Sequence, residues 1–84
     1  RLANEKNGLQ AATFATNSGK RLLAAGDLDG AISQFRNAIR MSSSFAAAHY
    51  QLGIALSRKG EKEEALREYK MASELDPRWQ APAE

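Results

Sequence analysis

The sequence predicts an all-α fold made of two stacked helix–turn–helix hairpins. Three observations carry that expectation. Apolar residues make up 43% of the 84 positions but aromatic ones only 7%, and the balance is mostly Ala and Leu, both strong helix formers. Val is absent, and the β-branched residues are only Thr13, Thr16, Ile32, Ile39 and Ile54, which leaves little material for strands. The chain also repeats itself at an offset of 34 residues, the length of one helical hairpin.

At that offset six identities line up: Ala12/Ala46, Gly19/Gly53, Leu22/Leu56, Gly26/Gly60, Ala31/Ala65 and Ala38/Ala72. Conservative pairs join them, among them Asp27/Glu61, Ile32/Leu66, Phe35/Tyr69, Arg36/Lys70, Met41/Leu75 and Phe45/Trp79. The residues that recur are small ones and large apolar ones. Those are the types needed where two helices approach closely and a ring fills the space between them. Positions read as exposed, such as Leu23/Ser57 and Gly30/Glu64, do not recur.

The elements follow in order. Residues 1–11 continue a helical pattern into the first unit and read as an extension or cap, with Gly8 as a weak point. The first unit, 12–45, opens with a helix that Gly26 ends. Asp27 caps the next helix, which runs to about Met41, and Ser42, Ser43 and Ser44 form the turn. In the second unit, 46–79, Ser44 is the expected cap of a helix from about Phe45 to Lys59. Gly60 ends it by taking the left-handed conformation. Glu61 to Glu64 suit the positive end of the next helix dipole. That helix runs to about Leu75 and stops at Asp76-Pro77, since the residue before Pro is pushed out of the helical region. Residues 80–84 form a tail, and Arg78 to Pro82 read as the start of a further helix. Within the second helix of each unit, Leu28, Ala31, Ile32, Phe35, Ala38 and Ile39, then Ala65, Leu66, Tyr69 and Ala72, fall on one face.

Several function classes fall away on composition. The net charge of +2, with both signs interspersed, lacks the basic field expected of a nucleic-acid binder. No stretch is long and apolar enough for a membrane span, and residues 1–6 lack the apolar run of a signal peptide. There is no Cys, hence no disulfide and no thiolate metal site. The lone His49 has no ligand neighbours at helical spacing and reads as structural. Glu63, Glu64 and Glu68 share a helix with Lys62, Arg67 and Lys70, and Glu63 and Arg67 stand in the favourable order for a pair four residues apart. Gly26-Asp27-Leu28-Asp29-Gly30 is too short for a calcium loop and lacks its closing Glu. With no nucleophile beside a base, neither catalysis nor a cofactor is expected. The chain begins at Arg1 without Met and reads as a piece of a longer protein.

The second unit reads His49-x2-Leu52-Gly53-x2-Leu56, then Ala65-x3-Tyr69, Ala72 and Pro77. This pattern resembles the tetratricopeptide repeat signature, with His49 where the family often has Trp and Leu56 where it often has Tyr. The first unit fits through Gly19, Leu22, Gly26, Ala31, Phe35 and Ala38. It departs at Ala15 and Ser18, and at Ser43, which stands in place of Pro77. The resemblance covers Ala12 to Trp79 and implies a short right-handed α-solenoid. It assigns Gly19 and Gly53 to close helix approach, Ala31 and Ala65 to the same role on the partner helix, and Phe35 and Tyr69 to the space between.

The resemblance also implies a non-catalytic scaffold that binds a peptide or helix of a protein partner on a concave face lined by the first helix of each hairpin. The matching positions are Thr13, Thr16, Lys20 and Leu23, then Ala47, Tyr50, Ile54, Ser57 and Arg58. Tyr50 and Ile54 lie one turn apart and are large and apolar, while Lys20 and Arg58 offer charge to an acidic group. The chaperone-tail clamp of the family needs paired Lys and Asn, which Thr16, Lys20, Tyr50 and Ile54 do not supply. A pentatricopeptide reading, with RNA as ligand, is disfavoured by the 34-residue period. The alternative is a self-association module. Two units leave apolar faces uncovered, so a homo-oligomer is expected, and sedimentation in which the mass stays monomeric at every concentration would exclude it.

Overall fold

Four helices follow one another in a computed structural model that describes residues 2–82, with side chains from Gly8 onward. They are α1 (Leu2–Ala24), α2 (Leu28–Met41), α3 (Ala46–Lys59) and α4 (Lys62–Leu75). Arg1, Ala83 and Glu84 lie outside the described residues. α1 packs on α2 and α3 on α4 as antiparallel hairpins; α2 and α3 join the hairpins, and α1 also touches α3. The result is a short α-solenoid.

The same local signals end the equivalent helices. Gly26 and Gly60 have φ of 87° and 96°, the left-handed conformation that an L side chain resists. Around them the Asp27 amide donates to the Leu22 carbonyl at 2.9 Å and the Glu61 amide to the Leu56 carbonyl at 2.8 Å. These bonds satisfy carbonyls that the helix ends leave free. α2 and α4 stop in extended residues, Ser42 and Asp76, whose amides donate to Ala38 and Ala72.

The helix starts differ from one another. Asp27 caps α2 as expected, its Oδ1 accepting from the Gly30 amide at 2.9 Å. Ser44 does not cap α3. The capping residue is Phe45, without a side-chain bond, and the helix begins at Ala46. The reason lies in the turn. The Phe45 amide donates to the Ser42 carbonyl, and the half-buried Phe45 ring packs on Ala12, Ala15, Ala38 and Ala48. An apolar contact sets the angle of α3 where a hydroxyl was expected to do so. Residues 79–82 are not helical. α1 runs unbroken through residues 2–11 into the first unit. Gly8 lies flush with the end of α2, where a Cβ would meet the Met41 carbonyl oxygen at 2.8 Å.

The core runs through all four helices: Leu23 of α1, Ala31, Ile32 and Phe35 of α2, Leu52, Ala55 and Leu56 of α3, and Ala65 of α4. Leu23, expected at the surface, is only 8% exposed. α3 covers the flank of α1 as well as α2, so the buried stripe of α1 is wider than one hairpin requires. Within each hairpin a ring sits on a glycine. A Cβ on Gly19 would come within 2.7 Å of Phe35 Cδ1, and one on Gly53 within 2.7 Å of Tyr69 Cδ1.

The two sites differ in freedom. Phe35 is wholly buried and Tyr69 is half-exposed. Overpacking costs about 1–3 kcal/mol, against about 1 kcal/mol of helix propensity gained when Gly becomes Ala. Gly19→Ala should therefore lower the urea midpoint clearly, while Gly53→Ala, where the ring can swing toward solvent, should lower it less. Equal midpoint losses would show that ring freedom does not control the cost.

Candidate protein-interaction surface

The nine concave-face positions divide into three groups once the helices are assembled. Thr16 and Leu23 are buried between helices, at 4% and 8% exposure, and offer a partner little surface. Ala47, Tyr50 and Ile54 are half-buried along α3. Thr13, Lys20, Ser57 and Arg58 are exposed, though the Thr13 hydroxyl is engaged, donating to the Leu9 carbonyl at 2.9 Å. Among the described residues the buried Thr16 hydroxyl has no hydrogen-bond partner. Helical spacing alone assigns Thr16, Lys20 and Leu23 to one stripe, and packing buries two of its three members.

Tyr50 is the best-anchored member. Its ring centroid lies 5.6 Å from that of Tyr69 and 5.0 Å from that of Trp79, both tilted, within the range of favourable aromatic pairs. Trp79 therefore folds back onto α3. The turn that brings it there is held by Asp76, whose carbonyl accepts from the Trp79 amide at 2.9 Å and whose carboxylate accepts from Arg78. The Arg78 guanidinium holds the Asp76 carboxyl below its ordinary pKa. Burial raises the Tyr69 hydroxyl, with Tyr50 adding to the shift and the Arg58 charge opposing it.

The surface charges connect the hairpins. Lys59 of α3 bonds Asp29 of α2 at 2.6 Å, and Arg36 of α2 bonds Glu64 of α4 at 2.9 Å. Among the described residues Glu63 and Arg67, expected to pair along α4, form no ion pair. The Asp29 carboxylate raises the Lys59 pKa. Exposed pairs of this kind contribute roughly 0–1 kcal/mol each, so they align the hairpins more than they hold them.

The sequence expects a structural His49 and offers it no partner. The ring is 2% exposed. Its Nδ1 lies 2.7 Å from Glu68 Oε1 and its Nε2 2.8 Å from the Ser43 carbonyl oxygen. Carbonyl and carboxylate oxygens both accept, so both contacts are satisfied as hydrogen bonds when the ring carries a proton on each nitrogen. The pair ties α3 to α4 and to the turn between the hairpins. The signal available in the sequence was an apolar-face His with Glu68, 19 residues on, facing it from the antiparallel helix. Among the described residues no group of three His, Asp or Glu side chains could hold a metal ion, and no helix is long and apolar enough to cross a membrane.

Comparison with known proteins places this geometry. A family described as Tetratricopeptide repeat matches residues 16–78. No curated protein matches the chain.

The hydrogen bond to Glu68, aided by the bond to Ser43 and opposed by burial, raises the His49 pKa above 6.5. A raised pKa in the folded state means that folding takes up a proton. The stabilisation is full below about pH 6.5 and is lost as pH rises through the folded value. The thermal midpoint of the chain relative to Glu68→Gln should thus be highest below pH 6.5 and decline toward pH 9. A difference profile flat across that window would show that the imidazolium contributes nothing.

Proposed function

Because this chain belongs to the tetratricopeptide repeat family, whose repeats generally mediate protein–protein interaction, we propose that it is a non-catalytic scaffold holding a peptide or helix of a protein partner on the face of α1 and α3. The observation that carries the reading is the fixed aromatic position of Tyr50, wedged between Tyr69 and Trp79, with Ile54 one turn along. Rigid aromatic anchors surrounded by adaptable polar groups are the usual energetic centres of protein interfaces. Thr13, Lys20, Ser57 and Arg58 supply the exposed polar surround. Lys20 and Arg58 favour acidic partner residues. Thr16 and Leu23 lie buried beneath this surface.

A second reading, self-association, draws on Phe14, 76% exposed on α1, and Leu66, 62% exposed on α4. Each stands on one of the two outer helices, α1 and α4.

A peptide selected from a displayed library against the intact chain tests the first reading, and sedimentation over a range of concentrations tests the second. Tyr50→Ala, and independently Lys20→Glu at an exposed site, should each weaken binding of that peptide by about tenfold, roughly 1.4 kcal/mol. A selected peptide indifferent to both changes would move the binding surface off this face.

A further inference from the structure

We propose that His49 is a proton-operated latch on the turn between the two hairpins, closed when both ring nitrogens carry a proton and released from Ser43 when one proton is lost.

The latch acts where the backbone restrains the chain least. The turns inside the hairpins close on themselves. The Gly26 and Asp27 amides donate to the Leu23 and Leu22 carbonyls, and the Gly60 and Glu61 amides to those of Ser57 and Leu56. The turn between the hairpins is only bracketed by backbone bonds, from the Ser42 amide to Ala38 and from the Phe45 amide to Ser42. Between these brackets Ser43 and Ser44 are exposed. Among the described residues the His49 ring is what holds them, its Nε2 lying 2.8 Å from the Ser43 carbonyl oxygen. α3 also begins without a side-chain cap that would stiffen the same stretch.

The repeat supplies the comparison. Ala15 and Gln34 stand in the first unit where His49 and Glu68 stand in the second. α1 and α2 form the same antiparallel hairpin without a charged pair, so closing a hairpin does not require one. What the pair adds in the second unit is the reach to the turn.

The surroundings make the proton count of the ring decisive. The ring is 2% exposed, so water does not replace a lost partner there. Glu68 is the charge that acts on it. Ala48, beside it in α3, packs on Ala12, Ala15 and Ala38 of α1 and α2, which carry none. Glu68 also lines a groove shared with Asp29, Arg36, Arg40 and Lys59, but those groups are engaged elsewhere. Arg36 bonds Glu64, Lys59 bonds Asp29 and Arg40 bonds Asn37. Glu68 therefore stays with the ring.

A neutral imidazole has one N–H for two acceptors. A hydrogen bond to a carboxylate is roughly twice as strong as one between neutral groups. Nδ1 thus keeps its proton toward Glu68, and Nε2 turns a lone pair toward the lone pairs of the Ser43 carbonyl. Two acceptors so placed repel, and the turn moves out into water. Release comes as pH rises through the folded-state pKa of His49, which the bond to Glu68 lifts above 6.5.

The test is NMR of the intact, isotope-labelled chain from about pH 5 to about pH 9, a range that brackets the ordinary His pKa. Ring nitrogen shifts should show the doubly protonated ring giving way to the Nδ1–H tautomer. The Ser43 carbonyl carbon should shift with the same midpoint. Carbon relaxation should show Ser43 and Ser44 loosening while Ala25 and Gly26, in the α1–α2 turn, stay unchanged. Glu68→Gln distinguishes a latch from general softening. Its amide can donate to Nδ1 and leave Nε2–H on Ser43, so the ring should titrate at lower pH and the turn should stay closed throughout. A neutral ring in the Nε2–H form, a Ser43 carbonyl that does not follow the ring, a ring that does not titrate in this range, or loosening that reaches Gly26 equally overturns the proposal. So does a turn that opens in Glu68→Gln as it does in the parent chain. If that variant does not fold, the tautomer and the Ser43 shift of the parent chain decide the matter.

Discussion

An aromatic ring lies against the bare backbone of the facing helix twice in this chain, Phe35 on Gly19 and Tyr69 on Gly53. Most of the architecture depends on that contact. A side chain on either glycine would displace the ring and hold the helices of the hairpin apart. With the ring seated, Ala31 and Ala65 come into close contact across the hairpin, and Leu23, Leu52 and Leu56 complete the layer around Phe35. Burying a ring of this size contributes about 2–3 kcal/mol, well above any exposed ion pair on this surface. Small residues opposite large ones are therefore the sequence code of this fold.

Polar groups then determine how one hairpin meets the next. His49 bridges Glu68 and the Ser43 carbonyl, so it fixes both the α3–α4 crossing and the turn that leads into α3. Breaking a buried charged pair by removing one partner costs more than the intact pair contributes, because the other group remains desolvated. The pair is thus better understood as a specificity device than as a source of stability. Lys59–Asp29 and Arg36–Glu64 act in the same sense at the surface, where they set the rotation of one unit against the other.

The repeat itself was legible because its packing residues recur at one spacing. The left-handed Gly26 and Gly60, the Asp27 cap and the stops at Ser42 and Asp76 all follow from local backbone chemistry. The candidate face was legible only in part. Lys20, Ser57 and Arg58 are exposed as helical spacing expects, but Leu23 is buried, since α3 presses on the flank of α1 and one helix's periodicity cannot register a neighbour's position. Ser44 failed as a cap for a related reason: the Phe45 ring found an alanine-lined site contributed by α1, α2 and α3. Trp79 looked like the beginning of another helix and instead stacks on Tyr50, a contact between segments 29 residues apart.

By itself, the sequence determined the four helices, where each of them ends, and which small and large residues face each other. Each of those outcomes is decided within a turn of helix or by a spacing that repeats. Only the tertiary structure decided the partners of His49 and Tyr50, the burial of Leu23 and Thr16, and the contrast between a covered Ile32 and an open Leu66. Those depend on which surface happens to lie opposite. Two residues at the same position of the same repeat can differ in that respect while their local sequence reads alike.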